Sequence, residues 1–166
     1  MSQQHSSSIS SNKDKSNNGK RQRKIFLVDD EQDVVISLKI GLEETGLFKV
    51  DAFTDPQLAL SNLSKADLHR YDLLLIDVKM PQMNGFELYQ EIKKRMRIRE
   101  QELKEEEKER QEYVDGTIKV CFITAYEVYY ETLKKEFPSL NIGCFIKKPI
   151  ELQELVNRIK QELELQ

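Results

Sequence analysis

Residues 73–85 read Leu-Leu-Leu-Ile-Asp-Val-Lys-Met-Pro-Gln-Met-Asn-Gly: an apolar run, Leu73 to Ile76, ends on Asp77, and Gly85 follows eight residues later. A carboxylate at the tip of a buried strand points to a site. Three other apolar runs end in comparable chemistry. Ile25-Phe26-Leu27-Val28 leads into Asp29-Asp30-Glu31, Val120-Cys121-Phe122-Ile123 into Thr124, and Phe145-Ile146 into Lys147-Lys148-Pro149. In open α/β sheets the crevice outside the carboxyl ends of the strands binds ligands, so acids, a hydroxyl and an amine distant in sequence can converge there.

From Lys24 onward, short apolar runs alternate with helical periodicity. This predicts repeated βα units with right-handed crossovers and one parallel sheet. Strands are expected near 24–28, 48–53, 72–76, 118–123 and 143–147. Val34, Val35, Leu38 and Leu42 recur at helical spacing, and Gly46 sits where a helix stop is favoured. Asp55-Pro56 opens a second helix with Leu58, Ala59, Leu60 and Leu63, an acid at the N-cap before a proline in the first turn. Asn84 caps a third helix carrying Phe86, Leu88, Tyr89, Ile92 and Met96. Val128, Tyr129, Leu133 and Phe137 mark a fourth, and Leu152, Leu155, Val156 and Ile159 a fifth. Five strands and five helices in this order fit a doubly wound α/β sheet of order 2-1-3-4-5.

Taken together, the segments LVDDE, IDVKMPQMNG, FITA and FIKKP resemble the receiver domain of two-component response regulators, over roughly Lys24 to Gln166. The resemblance implies an aspartyl phosphoacceptor, a divalent cation and a conformational switch. Asp77 takes the acceptor position. Asp30 and Asp77 are implied as direct ligands of Mg²⁺ together with the backbone carbonyl of Lys79, with Asp29 acting through water. A hard six-coordinate cation suits such an all-oxygen site. Taken alone, Asp29-Asp30 would read as acids placed at the positive end of the first helix. The family's lysine directly precedes a proline, which selects Lys148 over Lys147 and implies a cis bond to Pro149, a geometry confined in practice to X-Pro bonds. Lys147 alternates to the other side of the strand and reads as a surface charge. Thr124 matches the hydroxyl that contacts the phosphoryl group, and Ala125 leaves the acceptor open.

Phe145 matches the aromatic that couples to the threonine in switching, and an ordinary core aromatic is an equally open reading. Tyr126, Tyr129 and Tyr130 give the fourth helix an aromatic face, of which one or two members are expected to be exposed. Tyr126 and Lys79 stand where, by resemblance, side chains flank the path of hydrolytic water, which implies a long-lived phosphorylated state.

Composition sets the remaining bounds. The chain has 166 residues, 39% hydrophobic and 33% charged, which fits one domain with polar additions. Its net charge is -3, but residues 1–24 carry six basic side chains against Asp14, a balance of +5 that leaves -8 on the rest. An acidic body argues against general nucleic-acid binding, and no apolar stretch approaches the roughly 20 residues of a membrane helix. Residues 1–23, rich in Ser, Asn, Gln and Lys, read as a disordered basic tail, a solubilising leader in preference to a nucleic-acid arm. No signal-peptide pattern is present, so cytoplasmic location is expected. Cys121 and Cys144 fall in strand-like runs and read as unpaired core residues in a reducing compartment. His5 and His69 have no metal-ligand spacing.

One departure from the family pattern is large. The third helix runs on through RIREQELKEEEKERQEYVDG, so that residues 24–166 form the receiver with a charged helical insertion at about 97–115. Residues 94–112 hold seven basic and seven acidic side chains, and Glu100–Lys104 and Glu106–Arg110 are favourable i to i+4 pairs. A solvated extension is preferred to a partner-binding or dimerising arm.

The chain ends shortly after the last helix, so a stand-alone receiver without a DNA-binding output domain is expected. It would be phosphorylated by a histidine kinase or phosphotransfer protein and signal by contact with another protein. It is not expected to be a turnover enzyme. The alternatives are a phosphorylation-independent interaction module of the same fold and a haloacid-dehalogenase-like phosphohydrolase. The latter needs a D-x-D pattern, whereas Asp29 and Asp30 are adjacent.

Overall fold

Five apolar stretches form parallel strands in the computed structural model, which describes residues 21–63, 70–106, 118–125 and 144–166. They are β1 (Arg23–Val28), β2 (Phe48–Phe53), β3 (Leu73–Asp77), β4 (Lys119–Thr124) and β5 (Cys144–Lys147). Their order is β2-β1-β3-β4-β5, as expected. All five residues of the central β3 are buried. Helices cover both faces of such a strand, which is why it reads as an unbroken apolar run rather than an alternating one.

Four helices are present among the described residues: α1 (Gln32–Glu44), α2 (Pro56–Asn62), α3 (Gly85–Glu106) and α4 (Leu152–Glu162). Alternation along the strands divides the core in two. Phe26, Val28, Leu74, Ile76 and Phe122 pack with Ala59 and Leu63 of the α2 segment and Phe86, Leu88, Tyr89 and Ile92 of α3. Ile25, Leu27, Leu73, Leu75 and Ile123 face the other way, against Leu42 of α1 and Leu155, Val156 and Ile159 of α4. The register aligns Val28 with Ile76 and Asp77 with Ile123. The residues just beyond these therefore emerge at one edge of the sheet.

Local chemistry sets the helix starts. The Asp55 carboxylate accepts from the backbone N–H groups of Gln57 (2.7 Å) and Leu58 (2.9 Å), with Pro56 in the first turn. At α3 the Asn84 side chain accepts from Phe86 and Glu87, both at 3.0 Å, while the Glu87 carboxylate accepts from the Asn84 N–H at 2.9 Å. This reciprocal box satisfies donors the helix itself cannot. Gly46, at φ +71°, follows the end of α1 as expected.

The third helix does run on. Its 22 residues span about 33 Å, well beyond the roughly 17 Å of a five-residue strand. Ile98 on the extension is 44% exposed, so it lies outside the core. The rest of the insertion from residue 107, the side chains of the two charge pairs, the helix expected around Val128–Phe137, the three tyrosines, both histidines and residues 1–20 all lie outside the described residues.

Two expectations are corrected. Leu58, assigned to the apolar stripe of α2, is 55% exposed, because a seven-residue helix has room for little more than Ala59 and Leu63 against the sheet. Cys121 and Cys144 are both buried but are joined as a disulfide. They are register partners on adjacent strands, with Cα atoms 4.5 Å apart, a pairing that separation in sequence conceals.

Asn84→Ala should lower stability by about 1 kcal/mol through loss of the α3 cap. Leu58→Ser should change it by less than about 0.5 kcal/mol. Urea midpoints measure both.

Candidate functional site

At the carboxyl edge of the sheet, Lys148 brings the strand ends together. Its ammonium lies 2.7 Å from Asp29 Oδ2, 3.0 Å from Asp77 Oδ1 and 3.0 Å from Glu31 Oε1. Asp29 directly follows β1 and is 0% exposed, and Asp77 closes β3 at 3%. The Lys148 backbone N–H donates to the carbonyl of Thr124 at 2.8 Å, tying the loop after β5 to the tip of β4. Thr124 is buried at that tip. The Lys148–Pro149 peptide is cis, as expected, and Lys147 is exposed. Of the residues singled out in the sequence, Asp29, Asp77 and Lys148 are thus in direct contact. Asp30 is exposed and lines the same cleft with Glu31, Asp77, Lys79, Met80, Pro81, Ala125 and Lys148.

The acid pair does not cap α1. Asp29 Oδ1 accepts from the Glu31 N–H at 3.0 Å, and Glu31, the N-cap residue, makes no capping bond with its side chain. Burial pushes the Asp77 carboxyl above the usual aspartate range. Lys148 opposes that rise and the charge of Asp29 adds to it. For Lys148 the balance is reversed: burial alone would lower its pKa, but contacts with Asp29, Asp77 and Glu31 outweigh burial and hold it above the ordinary lysine value.

The loop between β3 and α3 is drawn back over the strand end. Val78 N–H donates to the carbonyl of Ile123 and Gly85 N–H to that of Val78, at 2.9 and 3.0 Å, while Met80 is buried. Gln82 takes φ +67° in the turn. A Cβ on Gly85 would stand 2.2 Å from the Asp77 carbonyl oxygen and 2.9 Å from Ile76 Cγ2, so only glycine permits this approach. Phe145 stacks on Phe122 with ring centroids 5.6 Å apart, and Phe86 stands edge-on to it at 6.3 Å. It therefore packs against the core as well as next to the site.

Chemically, the cleft presents carboxylate oxygens to solvent, with the Lys148 ammonium in contact with three of them. Asp29 Oδ2 is buried and lacks a well-directed hydrogen bond despite its ion-pair contact. An under-satisfied, all-oxygen donor set that opens to water fits a hard divalent cation that keeps several waters. Among the described residues no three acidic, histidine or cysteine side chains are grouped so as to hold a metal ion by themselves. No helix among the described residues is long and apolar enough to cross a membrane.

Glu31 was not singled out by sequence reasoning. It was read as part of the acid run, and only the contact across the cleft distinguishes it.

Comparison with known proteins identifies the family and the fold. The response regulator receiver domain family matches residues 25–160. The transcriptional regulatory protein CrdR of Helicobacter pylori is 35% identical over 140 residues, covering 84% of this chain and 54% of CrdR. The response regulator ArlR of Staphylococcus saprophyticus is 28% identical over 145 residues, 86% of this chain and 53% of that protein. The chain thus spans about half the length of these curated relatives. In fold it is similar to the chemotaxis protein CheY4 of Vibrio cholerae, with a TM-score of 0.63 at 21% identity over 86% of this chain and 99% of that one. The non-phosphorylated HemR receiver domain of Leptospira biflexa also gives 0.63, at 24% identity over 87% and 97%.

Because the raised Asp77 pKa, caused mainly by burial, means that ionised Asp77 opposes folding, Asp77→Asn should raise Tm at pH 7. The gain should shrink as pH falls through the folded-state pKa, where the wild-type carboxyl loses the same charge. Scanning calorimetry across pH tests the sign. Gly85→Ala should instead cost about 1–3 kcal/mol, since backbone must move to admit the methyl group.

Proposed function

The chain belongs to the response regulator receiver domain family of two-component systems, and on that premise we propose that Asp77 accepts a phosphoryl group and that phosphorylation alters the protein's contacts with a partner. The observation that carries this reading is the Lys148 ammonium bridging Asp29 and Asp77 in a cleft that reaches solvent. An Asp77 carboxylate oxygen attacks phosphorus, a new O–P bond forms, and the bond to the donor's leaving group breaks with its electron pair departing on that group. The family implies a histidine kinase as the physiological donor.

In this scheme Asp29, Asp30, Asp77 and the Lys79 carbonyl would hold Mg²⁺. When bound, the ion would offset charge on the phosphoryl oxygens. Lys148 would supply a second positive charge, and the Thr124 hydroxyl would offer a hydrogen bond. Ala125, small and exposed at the cleft, leaves room for a bulky donor. Phe145, stacked on Phe122, carries the change from Thr124 toward the β5–α4 side. Residues 24–166 would constitute the signalling unit, with residues 1–23 a basic leader and the charged insertion at about 97–115 an arm that leaves the chemistry untouched.

Incubation with acetyl phosphate and Mg²⁺ should give a single acid-stable, alkali-labile phosphoryl adduct by intact-mass spectrometry. Chelation of the metal or the Asp77→Asn change should abolish it. Continuous turnover of the donor would instead indicate a hydrolase, and no adduct under any condition would indicate an interaction module that works without phosphorylation. Asp30→Ala should weaken Mg²⁺ binding in a direct titration, and unchanged affinity would remove Asp30 from the ligand set.

A further inference from the structure

The Lys148 ammonium carries three N–H donors and lies within 3.0 Å of three carboxylates: Asp29 at 2.7 Å, Asp77 at 3.0 Å and Glu31 at 3.0 Å, the last in a hydrogen bond. An ammonium so surrounded meets an incoming anion only in competition with these carboxylates. To touch a phosphoryl group it must release one partner, and the three are not equivalent. Asp29 is fully buried, and its Oδ2 has no other close partner, so separation would leave an uncompensated charge away from water. Asp77 is the acceptor itself. The Glu31 side chain is 63% exposed, and water can replace the lysine at little cost.

The backbone fixes Glu31 for this task. Its N–H is bonded to Asp29 Oδ1, which anchors the residue beside the site, and its carboxylate reaches across to Lys148 instead of capping α1. We propose that Glu31 is a positioning residue for phosphoryl capture: it holds an N–H of Lys148 at rest and yields it to the incoming phosphoryl anion, so that capture competes with this one ion pair. The proposal deepens the reading of Asp77 as acceptor and rests on it. Glu31 touches neither donor nor acceptor and acts only through Lys148.

Two measurements on the full chain test it, with Glu31→Gln, Glu31→Ala and a control, Asp33→Asn. Asp33 lies in the first turn of the same helix and its loss changes net charge by the same amount. First, in metal-free protein, hydrogen exchange of the Lys148 ammonium by ¹⁵N NMR should quicken about twofold to fivefold in Glu31→Ala and less in Glu31→Gln, the range an exposed ion pair is worth. Second, with Mg²⁺ and acetyl phosphate, the half-saturating donor concentration should fall by a similar factor, with the change on that quantity rather than on the rate at saturation. Asp33→Asn should move neither by more than about 1.5-fold, the residue of long-range charge after screening. Unchanged ammonium exchange in Glu31→Ala would overturn the tether. An unchanged half-saturation, or an equal effect from Asp33→Asn, would overturn the competition. If acetyl phosphate labels no variant, wild type included, the acceptor reading fails, whereas ammonium exchange still reports whether Glu31 holds Lys148.

Discussion

The contact between the Lys148 ammonium and the carboxylates of Asp29 and Asp77 is the constraint from which the rest of the site follows. Two carboxylates nearly sealed from solvent would cost several kcal/mol each if left unpaired. One ammonium does not neutralise both, and Glu31 and Asp30 stand close by. The cleft therefore keeps a surplus of negative charge, and burial above all, with a smaller contribution from Asp29, holds the Asp77 pKa above the usual range. A fold selected only for stability would place apolar residues at these strand ends. In the function proposed for this chain, the carboxylates are kept there to receive a cation and a transferable anionic group.

The sheet order makes this arrangement possible. β1 and β3 are neighbours although α1, β2 and α2 separate them in the chain, so the tips carrying Asp29 and Asp77 lie side by side at the point where the connections diverge. β4 and β5 continue the same edge and bring Thr124 and Lys148 within a backbone hydrogen bond of each other. Apolar packing on both faces fixes the register, and a slip of one residue would exchange the faces of every strand. Precision at the cleft is therefore inherited from two cores that contain no part of the chemistry. Arg95 adds a long-range tie on the α2–α3 side, donating to the carbonyls of Leu60 and Leu63.

Much of this was legible in the sequence because the strand signal and the chemical signal coincide. The alternation of strands and helices pointed to the sheet order, the polar ends of the apolar runs pointed to Asp29, Asp77 and Lys148, which meet, and the caps at Asp55 and Asn84 were readable from local spacing alone. What escaped were relations between residues remote in the chain. Cys121 and Cys144 are opposite one another only through the β4–β5 register. Glu31 reaches Lys148 across 117 positions. The need for glycine at position 85 arises from a carbonyl that folds back over it, which no local pattern announces. Leu58 was misplaced because helical periodicity describes a face, while the length of the helix decides how much of that face the sheet can cover.

The central claim is that the carboxylate at the end of β3, among the several at this edge, is the one that reacts. Borohydride reduction of the acyl phosphate converts an aspartyl residue to homoserine, and tandem mass spectrometry of the digested protein then locates it. The account predicts homoserine at position 77 alone. Conversion at position 29 or 30, or a phosphoryl adduct that leaves position 77 unmodified, would contradict it.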